Sequence, residues 1–363
     1  MLTTAQGSTS VSMSKRSSVA GGNGGPRTPP FDVVAAYRRL LSEDEDLTMP
    51  VAAIEALILA LANTPASTVS ETLDLVSKLT AQLKRGIPNS ISLSAGTDLF
   101  QQYLISNLQR PSARGDFDQM RTHLVQNGKL FVERAKAARE TIAGFGGHFI
   151  RDGNVVLTNG GSRVVGSLLR SAAESSNNRG TIRFKVIYVM SPNNSAEEDE
   201  SRQNVAALRE RDIPVATIPS TAVAYCMDQV TQCFVGAEGV VENGGIVSRM
   251  GTYQMGMLAK AAGKPFYVVS ESHKFVRLYP LDQQDLGIEQ NVVDFRTSVG
   301  SVKGESRSVK DEGMEATKGL KTPDLAPQDA VDYTPPHLIA GIITESGVLL
   351  PSAVSEELLK IWF

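Results

Sequence analysis

An all-helical N-terminal domain followed by a Rossmann-like α/β domain is the architecture the sequence predicts. Two changes along the chain carry this. From Phe31 to about Phe149 apolar residues recur at i, i+3 and i+4, the period of helices with one buried stripe. After Asp152-Gly153 the period changes, and short apolar β-branched runs alternate with helical segments. Strand and helix in strict alternation, with strands apolar throughout, mean a parallel sheet covered on both faces. A length of 363 residues is ample for two such domains.

Residues 1–30 hold six Ser, five Gly, four Thr and three Pro, including Gly21-Gly22-Asn23-Gly24-Gly25-Pro26. Such a segment buries too little apolar surface to offset its ordering entropy, so disorder is expected over 1–30. It lacks the apolar stretch of a secretory signal, and its Gly and Pro break any amphipathic presequence helix. The helical domain, 31–149, opens with Val33, Val34, Tyr37, Leu40 and Leu41 at helical spacing, then Ile54, Leu57, Ile58 and Leu61. Ser70 to Lys84 follows, with Leu75, Val76, Leu79 and Leu83 on one stripe, and a Gly86–Asn89 break separates it from Ala95 to Leu108 and Phe117 to Phe145.

In the second domain, 150–363, the expected strands are Val155–Leu157, Phe184–Val189, Val215–Ile218, Cys233–Val235, Phe266–Val269 and Ile339–Ile343. The expected helices are Arg163–Glu174, Asn204–Arg211, Ala222–Val230 and Thr252–Ala262. The acidic stretch Glu197–Glu200 reads as a solvated helix start. Arg296–Asp329 carries 12 charged residues and few apolar ones, and reads as a solvated, disordered insertion before the last strand. Leu358, Leu359 and Ile361 with Trp362-Phe363 form an amphipathic end that should pack against something, such as a partner chain.

Composition bounds the function. A net charge of −3 argues against a basic nucleic-acid or membrane-surface binder. No stretch approaches the roughly 20 uninterrupted apolar residues of a membrane span. Two Cys and four His leave little for a disulfide framework or a structural zinc site. The expectation is a soluble, intracellular, metal-free protein, with Cys226 and Cys233 as buried thiols.

In an open parallel sheet, ligands gather at the carboxyl ends of strands, where helix N-termini offer free N–H groups. Three strand ends are candidates. Leu157-Thr158-Asn159-Gly160-Gly161-Ser162-Arg163 is either a plain βα turn or an anion site, with Arg163 pairing the anion. Neither GxGxxG nor a P-loop is present, so nucleotide binding is not indicated. Val235–Gly245, running on through Arg249 and Gly251-Thr252, has glycines, two carboxylates and Asn243. Glu238 directly after a buried strand suits a general acid or base, while Arg249 and the Thr252 helix start could hold phosphate. Loop carboxylates that merely cap neighbouring amides are the alternative. Ser270–Phe275 is the third, where His273 reads as structural or exposed rather than as a base.

Several long motifs, in order, resemble one family. Val235–Gly245, Gly251-Thr252, Lys264–Val269, Phe275–Leu278, Asp332–Pro335 and Gly347–Lys360 closely resemble the alpha-subunit family of eukaryotic translation initiation factor 2B. The resemblance spans Phe31 to Phe363 apart from Arg296–Asp329, and Ser92–Asp98 with the Gly-rich start resembles fungal members. It implies a cytoplasmic, non-catalytic subunit of the guanine-nucleotide exchange factor for initiation factor 2. It also implies a homodimer, formed through the α/β domain, that joins the beta, gamma, delta and epsilon subunits into a decamer. Such a subunit helps to sense the phosphorylated alpha subunit of initiation factor 2 and so lowers translation under stress, with Arg38, Arg39, Arg85 and Arg134 as candidate contacts. No cofactor, nucleic acid or membrane is implied.

The superfamily also contains methylthioribose-1-phosphate and ribose-1,5-bisphosphate isomerases, which use a Cys and an Asp. Their Thr-His-Cys-Asn turn aligns with Thr158-Asn159-Gly160-Gly161, so Gly160 stands in place of the thiol, and the Asp aligns with Glu238. The phosphate-binding Asn-Lys aligns with Ser248-Arg249, and Arg-Pro-Thr with Ile87-Pro88-Asn89. Loss of the thiol implies no isomerase activity, the alternative function. The implied remnant is an anion or sugar-phosphate site of Asn159, Gly160, Gly161, Arg163, Glu238, Asn243, Arg249 and Thr252.

Overall fold

The computed structural model describes residues 31–44, 47–63, 68–87, 89–108, 117–176, 183–190, 196–290, 292–293 and 330–362. The expected disorder of 1–30 and of 296–329 falls outside them, as do Pro88 and the side chains of Glu197 and Trp362.

Five helices come first: α1 (Val33–Glu43), α2 (Met49–Asn63), α3 (Val69–Gly86), α4 (Ser90–Leu108) and α5 (Phe117–Gly146). Their starts follow from local chemistry. The Asp32 carboxylate accepts from the Val34 and Ala35 amides, both at 3.0 Å, and the Thr68 hydroxyl from the Glu71 amide at 3.2 Å. α2 departs from the one-stripe expectation. Of its side chains only Glu55 and Asn63 are polar, and Val51 to Ile58 are buried apart from Glu55. A helix apolar on every side belongs inside, and α1, α3, α4 and α5 pack around it.

The main sheet has seven strands in the order β11-β10-β7-β4-β1-β2-β3. These are β1 (Val155–Asn159), β2 (Lys185–Met190), β3 (Val215–Pro219), β4 (Gln232–Gly236), β7 (Phe266–Val269), β10 (Gly341–Thr344) and β11 (Gly347–Leu349). All pair in parallel except β11, which is antiparallel to β10. Alternation on β1 and β4 builds two cores. Val156 and Phe234 face α5, α6 (Arg163–Ser176) and α7 (Ala196–Arg209), whereas Leu157, Cys233 and Val235 face α9 (Thr252–Ala261) and α10 (Val354–Trp362). The expected sheet covered on both faces is present, with β3 as its exposed edge.

Four short strands were not foreseen. β5 (Gly239–Val241), β6 (Ile246–Arg249), β8 (Phe275–Val276) and β9 (Val331–Thr334) form a second sheet, ordered β8-β5-β6-β9. The Val235–Gly245 stretch is therefore a strand followed by half of an antiparallel hairpin, not one loop. Three strands, not one, follow residue 329. Ile91 and Ala95 of α4 pack on this sheet with Val241, Val247 and Tyr333. The outer edge of β9 is covered by side chains: Gln283 and Gln290 each accept from and donate to the backbone of Tyr333 and Val331, at 2.7–3.1 Å. Such pairing blunts an edge that could otherwise template another chain. Ala222–Val230 is also not one helix. It is a single α turn, α8 (Val223–Cys226), between two 3₁₀ turns, because Tyr225, Cys226 and Asp228 are weak helix formers although Val223 and Met227 are buried. Among the described residues no helix is long and apolar enough to cross a membrane.

Candidate functional site

Strand order reverses between β1 and β4, since β1 leads outward to β2 and β3 while β4 leads the other way to β7 and β10. The loops leaving two neighbouring strands diverge there and leave a crevice. A cavity of about 700 Å³ lies at this point, lined by Asn159 to Val164 after β1, Gly236 to Glu238 after β4, and Glu271 and Lys274 after β7. Leu41, Met49, Ser92 and Arg139 of the helices, with Leu47 just before α2, close its other side.

Of the residues expected at the site, Asn159, Gly160, Gly161, Arg163, Glu238 and Arg249 line the cavity. Arg249 Nε pairs with Glu238 Oε1 at 3.0 Å, and Asn89 Nδ2 donates to Glu238 Oε2. Asn89, between α3 and α4, thus reaches the carboxylate that follows β4. Gly160 has φ +69°, and its carbonyl accepts from the Tyr188 hydroxyl at 2.6 Å. Arg163 donates Nη1 to the Leu47 carbonyl at 3.1 Å.

Asn243 and Thr252 correct the expectation. Asn243 sits outside the cavity in the β5–β6 turn, where Nδ2 donates to Pro280 O and Tyr333 Oη, both at 2.8 Å, and Oδ1 accepts from the Gly245 amide. It is a turn residue. Thr252 is fully buried, and the α9 N-terminus offers no anion site because Asp332 already occupies it. The Asp332 carboxyl accepts from the Gly251 amide at 2.7 Å and the Tyr253 amide at 3.1 Å. Burial pushes this carboxyl up to about 7 against those donors, and either form takes up the amide hydrogens.

The third candidate strand end, Ser270–Phe275, carries a second polar cluster. Glu271, 1% exposed, pairs with Lys274 Nζ at 3.0 Å and lies 3.8 Å from Arg139 Nε. Burial alone would raise this carboxyl, but Lys274, His273 and hydrogen bonds from Lys274 and its own backbone hold it at about 2. His273 is buried, contacts Thr48 Oγ1 at 3.1 Å through Nε2, and is held down to about 4 chiefly by burial. It is structural, not a base. The member that sequence reasoning missed is Arg139, whose signal is that it shares the helical stripe of buried Ala135 and Ile142.

Among the described lining residues, five cations (Arg139, Arg163, Arg170, Arg249 and Lys274) face three carboxylates (Glu200, Glu238 and Glu271). That excess of two positive charges, in a crevice of low dielectric, favours an anion. The thiols lie elsewhere: burial raises Cys233 to about 12, and Cys226 is half-buried. Among the described residues no group of three or more His, Cys, Asp or Glu side chains is placed to hold a metal ion. Arg38, Arg39, Arg85 and Arg134 are exposed on α1, α3 and α5. Arg38 Nη2 donates to Gly86 O at 3.3 Å, which sets it beside the end of α3 that carries Arg85, while Arg39 pairs with Glu43 at 3.6 Å.

The profile of the Initiation factor 2 subunit family matches residues 43–351. The chain is 34% identical over 336 residues to translation initiation factor eIF2B subunit alpha of Dictyostelium discoideum, covering 92% of this chain and 97% of that one. It is 29% identical over 231 residues to a putative methylthioribose-1-phosphate isomerase of Sulfolobus acidocaldarius, covering 62% and 58% of the two chains. In the tetrameric eIF2B-beta2-delta2 complex from C. thermophilum a chain superposes with a TM-score of 0.67 over 91% of this chain and 92% of that chain, at 18% identity, which shows a shared fold. With its matched span taking in α2 to α9, both sheets and all of the cavity lining but Leu41, the chain belongs to the Initiation factor 2 subunit family.

Proposed function

We propose that this chain is a non-catalytic regulatory subunit of the guanine-nucleotide exchange factor for initiation factor 2. It pairs with a second copy of itself and with the beta, gamma, delta and epsilon subunits, in the cytoplasm. The observation that carries the non-catalytic reading is Gly160. Aldose–ketose isomerisation moves a proton or hydride between neighbouring carbons and needs two groups to handle protons. At the end of β1, where the isomerases resembled by this chain place a thiol, Gly160 has no side chain. Glu238, the remaining acid, is engaged by Arg249 and Asn89. Assay with methylthioribose 1-phosphate or ribose 1,5-bisphosphate should show no turnover above background. Turnover that disappears in Glu238→Gln would establish the isomerase instead.

Pairing with other subunits is supported by the 34% identity to an alpha subunit and by exposed apolar side chains on the α/β part. Tyr225 on α8 and Met257 on the adjoining α9 are 84% and 44% exposed, and Leu359 on α10 is 57% exposed. For the phosphorylated alpha subunit of initiation factor 2, Arg38 and Arg85, set side by side, are the pair best placed to meet a phosphoserine.

The cavity retains a role as a regulatory anion or sugar-phosphate site. A ligand at tenfold its dissociation constant adds about 1.4 kcal/mol to the folded state. Ribose 5-phosphate at millimolar concentration should therefore raise the melting temperature by ~2 °C, and Arg249→Ala should lose most of that rise. An unchanged wild-type Tm, or an equal rise in Arg249→Ala, removes the site.

A further inference from the structure

The two cavity walls that carry Asn159 and Arg249 come from distant parts of the chain, and one buried hydroxyl joins them. Thr252 Oγ1 donates its hydrogen to the Arg249 carbonyl at 2.6 Å and accepts from Asn159 Nδ2 at 3.0 Å. A hydroxyl has one hydrogen to give, so once it is given to a carbonyl the remaining partner must be a donor. The amide of Asn159 is thereby fixed with its nitrogen toward Thr252, and its Oδ1 becomes the acceptor that this cavity-lining residue retains. Thr252 is itself held from outside the cavity. Asp332 grips the amides on either side of it, and β9 pairs with β6 so that Asp332 lies opposite Ser248 and Val331 opposite Arg249.

We infer that Thr252 is a positioning residue that orients the Asn159 amide to accept a hydrogen bond from a ligand hydroxyl, which makes Asn159 a reader of the polyol part of a sugar phosphate. The inference rests on the cavity being a ligand site. An acceptor oxygen attracts a sugar hydroxyl and repels a phosphate oxygen, so the anionic end of the ligand goes to the cationic side chains and not to Asn159. Thr252 touches no ligand, and its contribution is the direction in which Asn159 points.

The test compares two probes, ribose 5-phosphate and inorganic phosphate, by calorimetric titration of the full chain and of Thr252→Val, Thr252→Ser and Asn159→Ala. Valine keeps the shape but neither donates nor accepts, whereas serine does both. Loss of one oriented hydrogen bond corresponds to roughly tenfold in affinity. Thr252→Val should weaken ribose 5-phosphate by about that factor, leave inorganic phosphate unchanged, and be rescued by Thr252→Ser. Asn159→Ala, at a half-buried position that leaves the helix start intact, should show the same split even if Thr252→Val does not fold. Equal loss of both probes, or no loss of either, overturns the inference while the cavity stands as a binding site. A wild-type chain that binds neither probe removes the site, and the inference with it.

Discussion

Glu271→Ala is expected to destabilise the protein by about 3–5 kcal/mol, because it removes the acid of a buried ionic cluster and with it the counter-charge its cations share. Glu271 is 1% exposed, and the side chains of Arg139 and Lys274 are only 13% and 15% exposed. Without the carboxylate, two like charges face each other where little water reaches them, at the seam between α5 and the end of β7. Glu271→Gln keeps the volume and one acceptor, and should cost less. Chemical unfolding at pH 7.5 measures both, and an alanine variant within 1 kcal/mol of wild type would show that the cluster stabilises nothing.

The same cluster fixes an acid response. Glu271 titrates at about 2 in the folded state against 4.5 for a free side chain, so its contribution is present above 4.5 and is lost as pH falls toward 2. His273 titrates at about 4 against 6.5, so the folded state binds fewer protons between those values and stability declines as pH drops through that window. Asp332 works the other way, since a carboxyl held up at about 7 against 3.8 adds stability as pH falls from 7 to 3.8. The His273 share is therefore read by difference: the unfolding midpoint of His273→Gln minus that of wild type should rise as pH falls from 6.5 to 4, and a difference constant from pH 7 to 4.5 would contradict this assignment.

Gly96→Ala is expected to cost about 2–4 kcal/mol, at or beyond the upper end for overpacking. A Cβ on Gly96 would meet the Pro50 carbonyl oxygen at 2.3 Å, with Pro50 Cα and C at 2.7 and 2.8 Å. These are backbone atoms at the start of α2, so no rotamer change relieves the contact, and α2 and α4 must separate. The displacement would reach Thr48, one residue before α2, and so its contact with His273 beside the cavity. Gly144→Ala is the control. It sits on an exposed part of α5 with nothing within 4 Å of its Cβ, and should stabilise by about 0.5–1 kcal/mol through helix propensity. Thermal unfolding of the two variants should move in opposite directions, and equal shifts would contradict the close-packed α2–α4 crossing.

How far the fold could be read from the sequence depended on whether its pairing left a local mark. β7 and the parallel sense of the main sheet follow from apolar β-branched runs bounded by turns, and α6 and α9 begin at the expected residues. The second sheet left no such mark. Its strands are two to four residues long, and β5 and β6 lie in a stretch whose glycines read as loop. Only their pairing with β8 and β9, many residues away, makes them strands. The site divided in the same way. Gly160 and Glu238 follow foreseen strand ends and Arg249 continues the glycine-rich stretch after one, so they were visible, whereas Arg139 lies mid-helix, where a charge ordinarily means solvent. Asn243 and Thr252 were the reverse case: polar residues in the right stretch whose groups are taken up by the Tyr333 hydroxyl, Pro280, Arg249 and Asn159.

The central claim is that this chain acts by assembly rather than by chemistry, and light scattering after size exclusion tests it most directly. The isolated chain should elute as a dimer of about 78 kDa, twice its 38.9 kDa. Added to the other four subunits of the exchange factor, it should join their assemblies into one of ten chains, with the mass rising accordingly. A 38.9 kDa monomer that leaves the mass of the other subunits' assembly unchanged would contradict the account.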